Sequence, residues 1–169
     1  MTRIRAAEAR DAEAIAAVHE AAFGRPDEAR LARALAAREP RCISLVAERD
    51  GAVVGHLLVS PVSVDGCTLE PPPFGLGPLA VTPRLQRGGI GGALSRAGIE
   101  ACRARGAPFV VVLGHPAYYP KFGFVPASRF GLHFGTGPAR DAFMALELAH
   151  GALAKARGRV RYAREFGEG

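Results

Sequence analysis

The sequence lacks the features that mark membrane-spanning and disulfide-stabilised proteins. None of its apolar runs approaches the ~18 residues that a membrane helix needs, and residues 1–5 do not begin the long apolar core of a signal peptide. The three cysteines, Cys42, Cys67 and Cys102, are odd in number and far apart. This excludes a disulfide framework and a CxxC metal site. We therefore predict a cytoplasmic protein that has no membrane partner.

Lysine is scarce in a chain that is nevertheless basic. Of the 22 lysines and arginines only Lys121 and Lys155 are lysines, and the formal net charge is +6. A basic balance indicates either a nucleic-acid partner or a smaller anion. Acidic residues interrupt the arginines and aromatic residues do not alternate with them, so the pattern favours a small anion and no nucleic acid. The five histidines show no metal-ligand spacing, and we predict no metal.

The pattern that is present predicts one mixed α/β domain over residues 1–169. Domains usually contain about 100–200 residues, and no linker, internal repeat or low-complexity tract divides this chain. A first strand at Arg3–Ala6 precedes a helix capped by Asp11 and a second helix with Pro26 in its first turn. The pair Asp50-Gly51 then predicts a hairpin. Its two strands are Cys42–Arg49 and Ala52–Val59.

The centre of the chain alternates strand, helix and strand. Phe74–Val81 is apolar and extended, and Pro78 inside it predicts an edge, a bulge or a splay, because proline donates no ladder hydrogen bond. Residues 90–105 carry apolar side chains at helical spacing, and Phe109–Leu113 is the β-branched run of a buried strand. Three further strand candidates are Arg129–Phe134, Phe143–Ala149 and Arg159–Tyr162.

A glycine-rich loop joins the strand Phe74–Val81 to the helix. Its sequence is Gln86-Arg87-Gly88-Gly89-Ile90-Gly91-Gly92. The first amides of a helix have no internal acceptor and lie at the positive end of the helix dipole. Glycines remove the side chains that would keep a phosphate away, so that several amides can point at one anion. The segment therefore predicts a phosphate or pyrophosphate site.

The spacing within this loop distinguishes between phosphate-binding motifs. A P-loop needs a Gly-Lys pair, and the sequence contains none. A dinucleotide fingerprint needs a third glycine or alanine where this chain has Leu94. A literal match at residues 75–80 lies inside a strand and opens no helix. The pattern that fits is Gln86-x-x-Gly89-x-Gly91.

This pattern, preceded by Leu79-Ala80-Val81-x-Pro83, resembles the acetyl-CoA-binding motif of the GNAT superfamily of N-acetyltransferases. The segment Tyr119-Pro120-Lys121-Phe122-Gly123-Phe124 resembles the Tyr-x-x-x-Gly-Phe signature of the same family. Both motifs and the helix between them span residues 76–126, in the order and at the separation that the family shows. The resemblance implies the GNAT fold: helices flank a mostly antiparallel sheet whose fourth and fifth strands, here Phe74–Val81 and Phe109–Leu113, splay apart.

The resemblance also implies that acetyl-CoA is the co-substrate. The main chain of Leu79, Ala80 and Val81 would pair with the pantetheine arm as an added strand. An amide near Leu79 would polarise the thioester carbonyl. The CoA pyrophosphate would lie on the loop that is formed by Gln86, Arg87, Gly88, Gly89, Ile90, Gly91 and Gly92.

Tyr119 would contact the thioester end of the cofactor and act as the general acid that protonates the departing thiolate. The adjacent Tyr118 is the alternative, but the spacing to Gly123-Phe124 favours Tyr119.

The base that removes the amine proton stays open. An amine of pKa ~10.4 is only about 0.04% neutral at pH 7, so the reaction needs a proton acceptor. Members of the family often place a glutamate on the motif strand or use a chain of waters. Phe74–Val81 contains no acidic residue. The candidates are Glu20, Glu28, Glu70 and His115.

Two hypotheses of function follow. The leading one is transfer of acetyl from acetyl-CoA to a primary amine of a small molecule or peptide by direct attack on the thioester. The alternative is an acyl-CoA-binding sensor or scaffold of the same fold, without turnover. The amine acceptor, the use of other acyl groups and the formation of a homodimer stay open at this stage.

Overall fold

The computed structural model describes residues 1–135 and 142–167, and these form a mixed α/β fold. Its large sheet is mostly antiparallel and is flanked by helices, as the sequence predicts. The chain divides into two compact units, one made of Met1–Val59 and Gly77–Glu100, the other of Ser60–Leu76 and Ala101–Gly169. That residues 1–169 act as a single domain stays a prediction.

The first unit contains two whole helices, most of a third and four strands or parts of strands. The helices are α1 (Ala12–Phe23), α2 (Asp27–Arg38) and α3 (Ile90–Ala104). The strands hydrogen-bond in the order β1 (Thr2–Ala6), β2 (Ile43–Arg49), β3 (Ala52–Pro61) and β5 (Phe74–Val81). The Asp50-Gly51 hairpin is confirmed, since Arg49 pairs with Ala52 and both turn residues have positive φ, 52° and 78°.

The starts of α1 and α2 differ from the predicted ones. Asp11 does precede α1, but its side chain makes no capping bond to that helix. Its carboxylate instead accepts the backbone N–H of Glu8 at 2.7 Å and two N–H groups of Arg5 at 2.7 and 2.9 Å. Asp11 therefore closes the turn before the helix and ties it to β1. Pro26 lies one residue before α2 instead of inside its first turn.

Helix α3 lies directly on β3 at Gly55. A Cβ at Gly55 would be 3.0 Å from Cδ1 of Leu94 and 3.2 Å from Cγ2 of Ile90, and both of these side chains are buried. The strand therefore needs a glycine where the first turns of the helix contact it. This contact fixes the position of the N-terminus of α3 within the first unit.

The described part of the second unit carries the start of β5 and six further strands. These are β4 (Ser63–Val64), β6 (Phe109–Leu113), β7 (Val125–Pro126), β8 (Leu132–His133), β9 (Phe143–Glu147) and β10 (Gly158–Arg161). Its strands hydrogen-bond in the order β5-β6-β9-β7, and a small sheet has the order β4-β10-β8. Its core contains apolar side chains of these strands, among them Phe109, Val111 and Phe143.

The predicted strand Arg129–Phe134 is wrong over most of its length. Residues Ala127–Phe130 form a 3-10 turn that Gly131 ends with a φ of +71°, so that only Leu132–His133 is extended. The strand Phe143–Ala149 is confirmed as the shorter Phe143–Glu147, and Arg159–Tyr162 is confirmed one residue earlier, as Gly158–Arg161.

Candidate active site

Strand β5 pairs with β6 over a short stretch only. The parallel register runs from Phe74–Val110 to Leu76–Val112, while β5 itself continues to Val81. Pro78 follows the last pair and has no N–H to donate. The residues that are predicted to bind the pantetheine arm, Leu79, Ala80 and Val81, thus lie on the part of β5 that comes after its register with β6.

The side chain of Gln86 braces the turn between β5 and α3. Its Nε2 donates to the carbonyl oxygen of Val81 at 3.0 Å. The turn is also held by its backbone, because the amide of Thr82 donates to Val54 on β3 at 2.8 Å and that of Leu85 to Thr82 at 2.8 Å. Gln86 therefore stabilises the conformation of the loop through a hydrogen bond to the backbone of β5.

Two residues with positive φ redirect the backbone from the loop to the start of α3. They are Arg87, at +65°, and Gly89, at +88°. The amide of Ala93 donates to the carbonyl of Gly89 at 3.0 Å. The amides of Ile90, Gly91 and Gly92 precede this bond and belong to the first turn, which has no acceptors of its own for them.

The loop is also open to an approaching ligand. Gly88 and Gly89 are exposed, and a Cβ at Gly89 would meet no atom within 4 Å. Successive amides in this conformation can bind one anion at the positive end of the helix dipole.

Tyr119 is positioned by its neighbours in the second unit. It begins the 3-10 turn Tyr119–Phe122 that follows β6, and its ring contacts those of Phe124 and Tyr118, with centroids 5.7 and 5.0 Å away. The ring also lies against Gly114, where any Cβ would collide with it. Burial, and then the neighbouring Tyr118, raise the pKa of Tyr119 to about 12. The phenol therefore stays protonated at neutral pH and is a hydrogen-bond donor.

The candidate bases are in different surroundings. The carboxylate of Glu28 accepts from Nε of Arg25 at 3.0 Å, and this bond lowers the pKa of Glu28 and makes it a weaker base. Nδ1 of His115 accepts the backbone N–H of Ala117 at 3.2 Å. Glu20 and Glu70 are exposed. None of these features singles out one residue as the base.

A buried polar chain in the first unit escaped the sequence analysis. Nε2 of His19 lies 2.8 Å from Nδ1 of His56, and Nε2 of His56 lies 2.8 Å from Oγ of Ser44. Burial lowers the pKa of His19 to about 4 and that of His56 to about 3. Both rings are therefore neutral at pH 7. Each histidine interrupts an apolar stretch of its element, and this is the sequence feature that could have indicated a buried polar pair.

The structure thus contains, in chain order, a strand, a bracing glutamine, a left-handed turn, a glycine-opened helix and the tyrosine turn after β6. The family model described as the acetyltransferase (GNAT) domain matches residues 3–127. The chain therefore belongs to the GNAT acetyltransferase family.

Curated relatives include two uncharacterized N-acetyltransferases of Escherichia coli K12. YjhQ is 42% identical over 120 residues, which make up 70% of this chain and 66% of the length of YjhQ. YhbS is 34% identical over 157 residues, which cover 92% of this chain and 93% of that protein.

Two solved structures are similar over nearly the whole chain. The crystal structure of YhbS from Escherichia coli in complex with CoA has a TM-score of 0.89 and 32% identity, and the match covers 99% of this chain and 92% of that one. A GNAT family acetyltransferase from Brucella melitensis in complex with acetyl-CoA has a TM-score of 0.79 and 34% identity, with 98% of both chains covered.

Two kinds of feature are absent from residues 1–135 and 142–167. No helix there is long and apolar enough to cross a membrane. No group of three or more His, Cys, Asp or Glu side chains there could hold a metal ion.

Proposed function

We propose that this protein transfers the acetyl group of acetyl-CoA to a primary amine of a small molecule or peptide, by direct attack of the amine on the thioester. The observation that carries this proposal is the open loop 86–92, which presents successive amides at the start of α3. It is supported by the complexes of the YhbS and Brucella relatives with CoA and acetyl-CoA.

The cofactor is held mainly by backbone groups. The amides of residues 87–92 bind the pyrophosphate, and Gln86 keeps the loop in the binding conformation through its bond to Val81. The main chain of Leu79, Ala80 and Val81 pairs with the amides of the pantetheine arm in the manner of an added strand. Such binding depends on backbone geometry, which is why glycines matter more here than charged side chains.

The chemical step needs one bond made and one broken. The neutral amine nitrogen attacks the carbonyl carbon, an amide near Leu79 stabilises the oxyanion, and the C–S bond breaks as the intermediate collapses. The sulfur leaves as a thiolate and receives a proton from Tyr119, while the amine nitrogen loses one. A phenol with a pKa of about 12 is a weaker acid than a thiol of pKa ~8.5. We therefore expect Tyr119 to hydrogen-bond the sulfur first and to be reprotonated as the amine nitrogen releases its proton.

The experiment that tests the proposal measures release of CoA thiol from acetyl-CoA in the presence of a panel of amines. The panel contains amino acids, polyamines, aminoglycosides and peptide N-termini, since the acceptor class is open. We expect amine-dependent thiol release with at least one class. The absence of an acidic residue from β5 favours one competing function, a sensor or scaffold without turnover. Tight binding of acetyl-CoA without thiol release for any amine would support that function and overturn catalysis.

A further inference from the structure

A pocket of about 260 Å³ lies inside the first unit, and helices α1 and α2 line it together with strands β2 and β3. The helices contribute small side chains at helical spacing, Ala12 and Ala16 from α1 and Ala29 and Ala32 from α2, with Ile15 beside them. In a packed core such positions carry leucine or isoleucine, which fill the space between elements. The pocket therefore exists because alanines occupy the helix positions that line it.

The walls of this pocket suit an apolar occupant better than water. At roughly 30 Å³ for each water-sized group, the space holds about eight or nine non-hydrogen atoms. A buried water needs about two to four polar partners, and most of the lining consists of alanine methyl groups. A chain of methylene groups needs no such partners and gains by leaving water. The body of a matching ligand is therefore a short aliphatic chain.

A polar chain ends at Ser44, a half-buried residue in the lining of this pocket. It runs from Nε2 of His19 through the ring of His56 to Oγ of Ser44, with both distances 2.8 Å, and Nδ1 of His19 has no partner among the described residues. If Ser44 donated to His56, Nδ1 of His19 would carry a proton. A buried N–H without an acceptor is rarer than a buried acceptor without a donor. His56 therefore donates to Ser44, and the hydroxyl hydrogen of Ser44 is left for an acceptor in the pocket.

The charged residues of the lining are Glu8 and Arg33, and both are exposed at the mouth of the pocket. Oε2 of Glu8 accepts from Nε of Arg10 at 2.7 Å, so that its charge is already paired. The side chain of Arg33 has no ion-pair partner among residues 1–135 and 142–167. An anionic group at the mouth would therefore meet a guanidinium that can bind it through two N–H groups.

We infer that this pocket binds a short-chain aliphatic carboxylate of about six carbon atoms. Its methylene chain lies against the alanines, and its carboxylate accepts hydrogen bonds from Arg33 and from the hydroxyl of Ser44. The two oxygens of a carboxylate offer about four acceptor sites, which is enough for both donors. The inference goes beyond the proposed function and does not depend on it, because no residue of the loop 86–92 lines the pocket.

The pocket and the start of α3 lie on opposite faces of β3. Successive side chains of a strand point to opposite faces of the sheet. Gly55 faces Ile90 and Leu94 of α3, whereas its neighbour His56 lines the pocket. The carboxylate site is therefore separate from the loop 86–92, and CoA should not compete for it.

Titration of isotope-labelled protein with sodium hexanoate, followed through amide chemical shifts, tests the inference. We expect saturable shifts around the pocket with a Kd on the order of 0.1–1 mM. Ala16→Leu fills part of the pocket and should abolish these shifts, while the melting temperature stays equal or rises. Ala17→Leu is the matched control, because Ala17 is the next residue of α1 but is exposed and outside the lining. It should bind hexanoate like the unchanged protein.

Two further variants test how the carboxylate is recognised. Arg33→Gln and Ser44→Ala should each weaken hexanoate binding by about 3–10-fold, the loss of one polar contact. The neutral alcohol hexanol should bind the unchanged protein and Arg33→Gln equally, because it carries no charge. Arg30→Gln is the control for Arg33→Gln, since Arg30 is exposed on the same helix but does not line the pocket.

Four results would overturn the inference. They are the absence of shifts at hexanoate concentrations far above this Kd, binding that survives Ala16→Leu, equal loss of hexanoate and hexanol affinity in Arg33→Gln, and displacement of hexanoate by CoA. A CoA titration of the same sample reports separately on the proposed function. Failure of either proposal therefore leaves the other standing.

Discussion

At the scale of single residues, Tyr118 and Tyr119 differ in their surroundings although they are adjacent. Tyr119 is packed over Gly114 and has its pKa raised to about 12 by burial, whereas the ring of Tyr118 lies 3.8 Å from Nζ of Lys121. We predict that Tyr119→Phe lowers kcat by about one to three orders of magnitude, since general acid catalysis contributes about 10²–10⁴-fold and a thiolate is a good leaving group. Fold and CoA affinity should not change. Thiol-release kinetics and calorimetry measure the two effects.

Tyr118→Phe is the control for this prediction and should retain the rate. If Tyr118→Phe is inactive while Tyr119→Phe is fully active, the assignment is off by one residue. If both retain full activity, water protonates the thiolate and no tyrosine acts as the acid.

The His19–His56 pair predicts a pH dependence of stability. The folded protein holds both rings neutral, with pKa values of about 4 and about 3, mainly because burial disfavours the charged form. In the unfolded chain the rings take up protons near pH 6.5. The free energy of unfolding therefore falls as the pH drops from 6.5 toward 4, and levels off below the folded pKa values. Both rings contribute to this loss, each by about 1.4 kcal/mol for every pH unit between its unfolded and folded pKa values.

Urea denaturation at pH 7.5, 6.5, 5.5 and 5.0 measures this effect. Asp11, with a pKa lowered to about 2, and Glu28, Glu39 and Asp65, all lowered by arginine partners, lose stabilisation only at more acidic pH. A His19→Leu/His56→Leu double variant should flatten the pH profile, whereas His133→Gln, at an exposed position, should leave it unchanged. A flat profile in the unchanged protein would contradict the neutral pair.

At the scale of elements, the loop 86–92 and the start of α3 together form the proposed pyrophosphate site. We predict that Gly89→Asp or Gly91→Asp abolishes CoA binding in a folded protein. A carboxylate would repel the pyrophosphate, and its side chain would occupy the space in front of the amides. Gly89 has open space around it, so that the substitution creates no clash within the chain. Circular dichroism verifies the fold, and calorimetry measures CoA binding.

Gly51→Asp is the matched control, because Gly51 also has a positive φ, +78°, and open space, but lies in the β2–β3 hairpin. It should bear the same backbone strain and still bind CoA. Normal CoA binding by folded Gly89→Asp and Gly91→Asp proteins would show that the pyrophosphate does not bind at this loop.

The elements that the sequence predicts well are those set by neighbours in the chain. The hairpin turn at Asp50-Gly51 and the strands Phe74–Val81 and Phe109–Leu113 depend on local turn chemistry and apolar runs, and their bounds agree with the structure. The strand Arg129–Phe134 was wrong because Gly131 ends a 3-10 turn inside an apolar stretch.

Contacts between distant segments could not be predicted in the same way. Nothing local indicates that His19 meets His56 or that Tyr162 lies over Gly75. Each contact depends on how elements pack, and a single sequence carries no record of that packing. The residue roles at the candidate site stay predictions for the same reason. The loop is visible in the sequence, but its ligand is not.

At the scale of the whole molecule, the positive net charge and the membership of the GNAT family are both consistent with binding of a small anion. The net charge of +6 attracts a polyanionic cofactor, and the match to the GNAT domain extends over residues 3–127. Tyr119 belongs to the second unit, whereas the loop 86–92 belongs to the first.

Calorimetric titration of the unchanged protein with acetyl-CoA, repeated as a thermal shift, tests the central claim most directly. We expect one site with a micromolar Kd and a higher melting temperature. At a free ligand concentration of 100 times Kd the stabilisation is about 2.7 kcal/mol, which a thermal shift detects easily. The absence of both binding heat and a shift in melting temperature at millimolar acetyl-CoA would contradict the account.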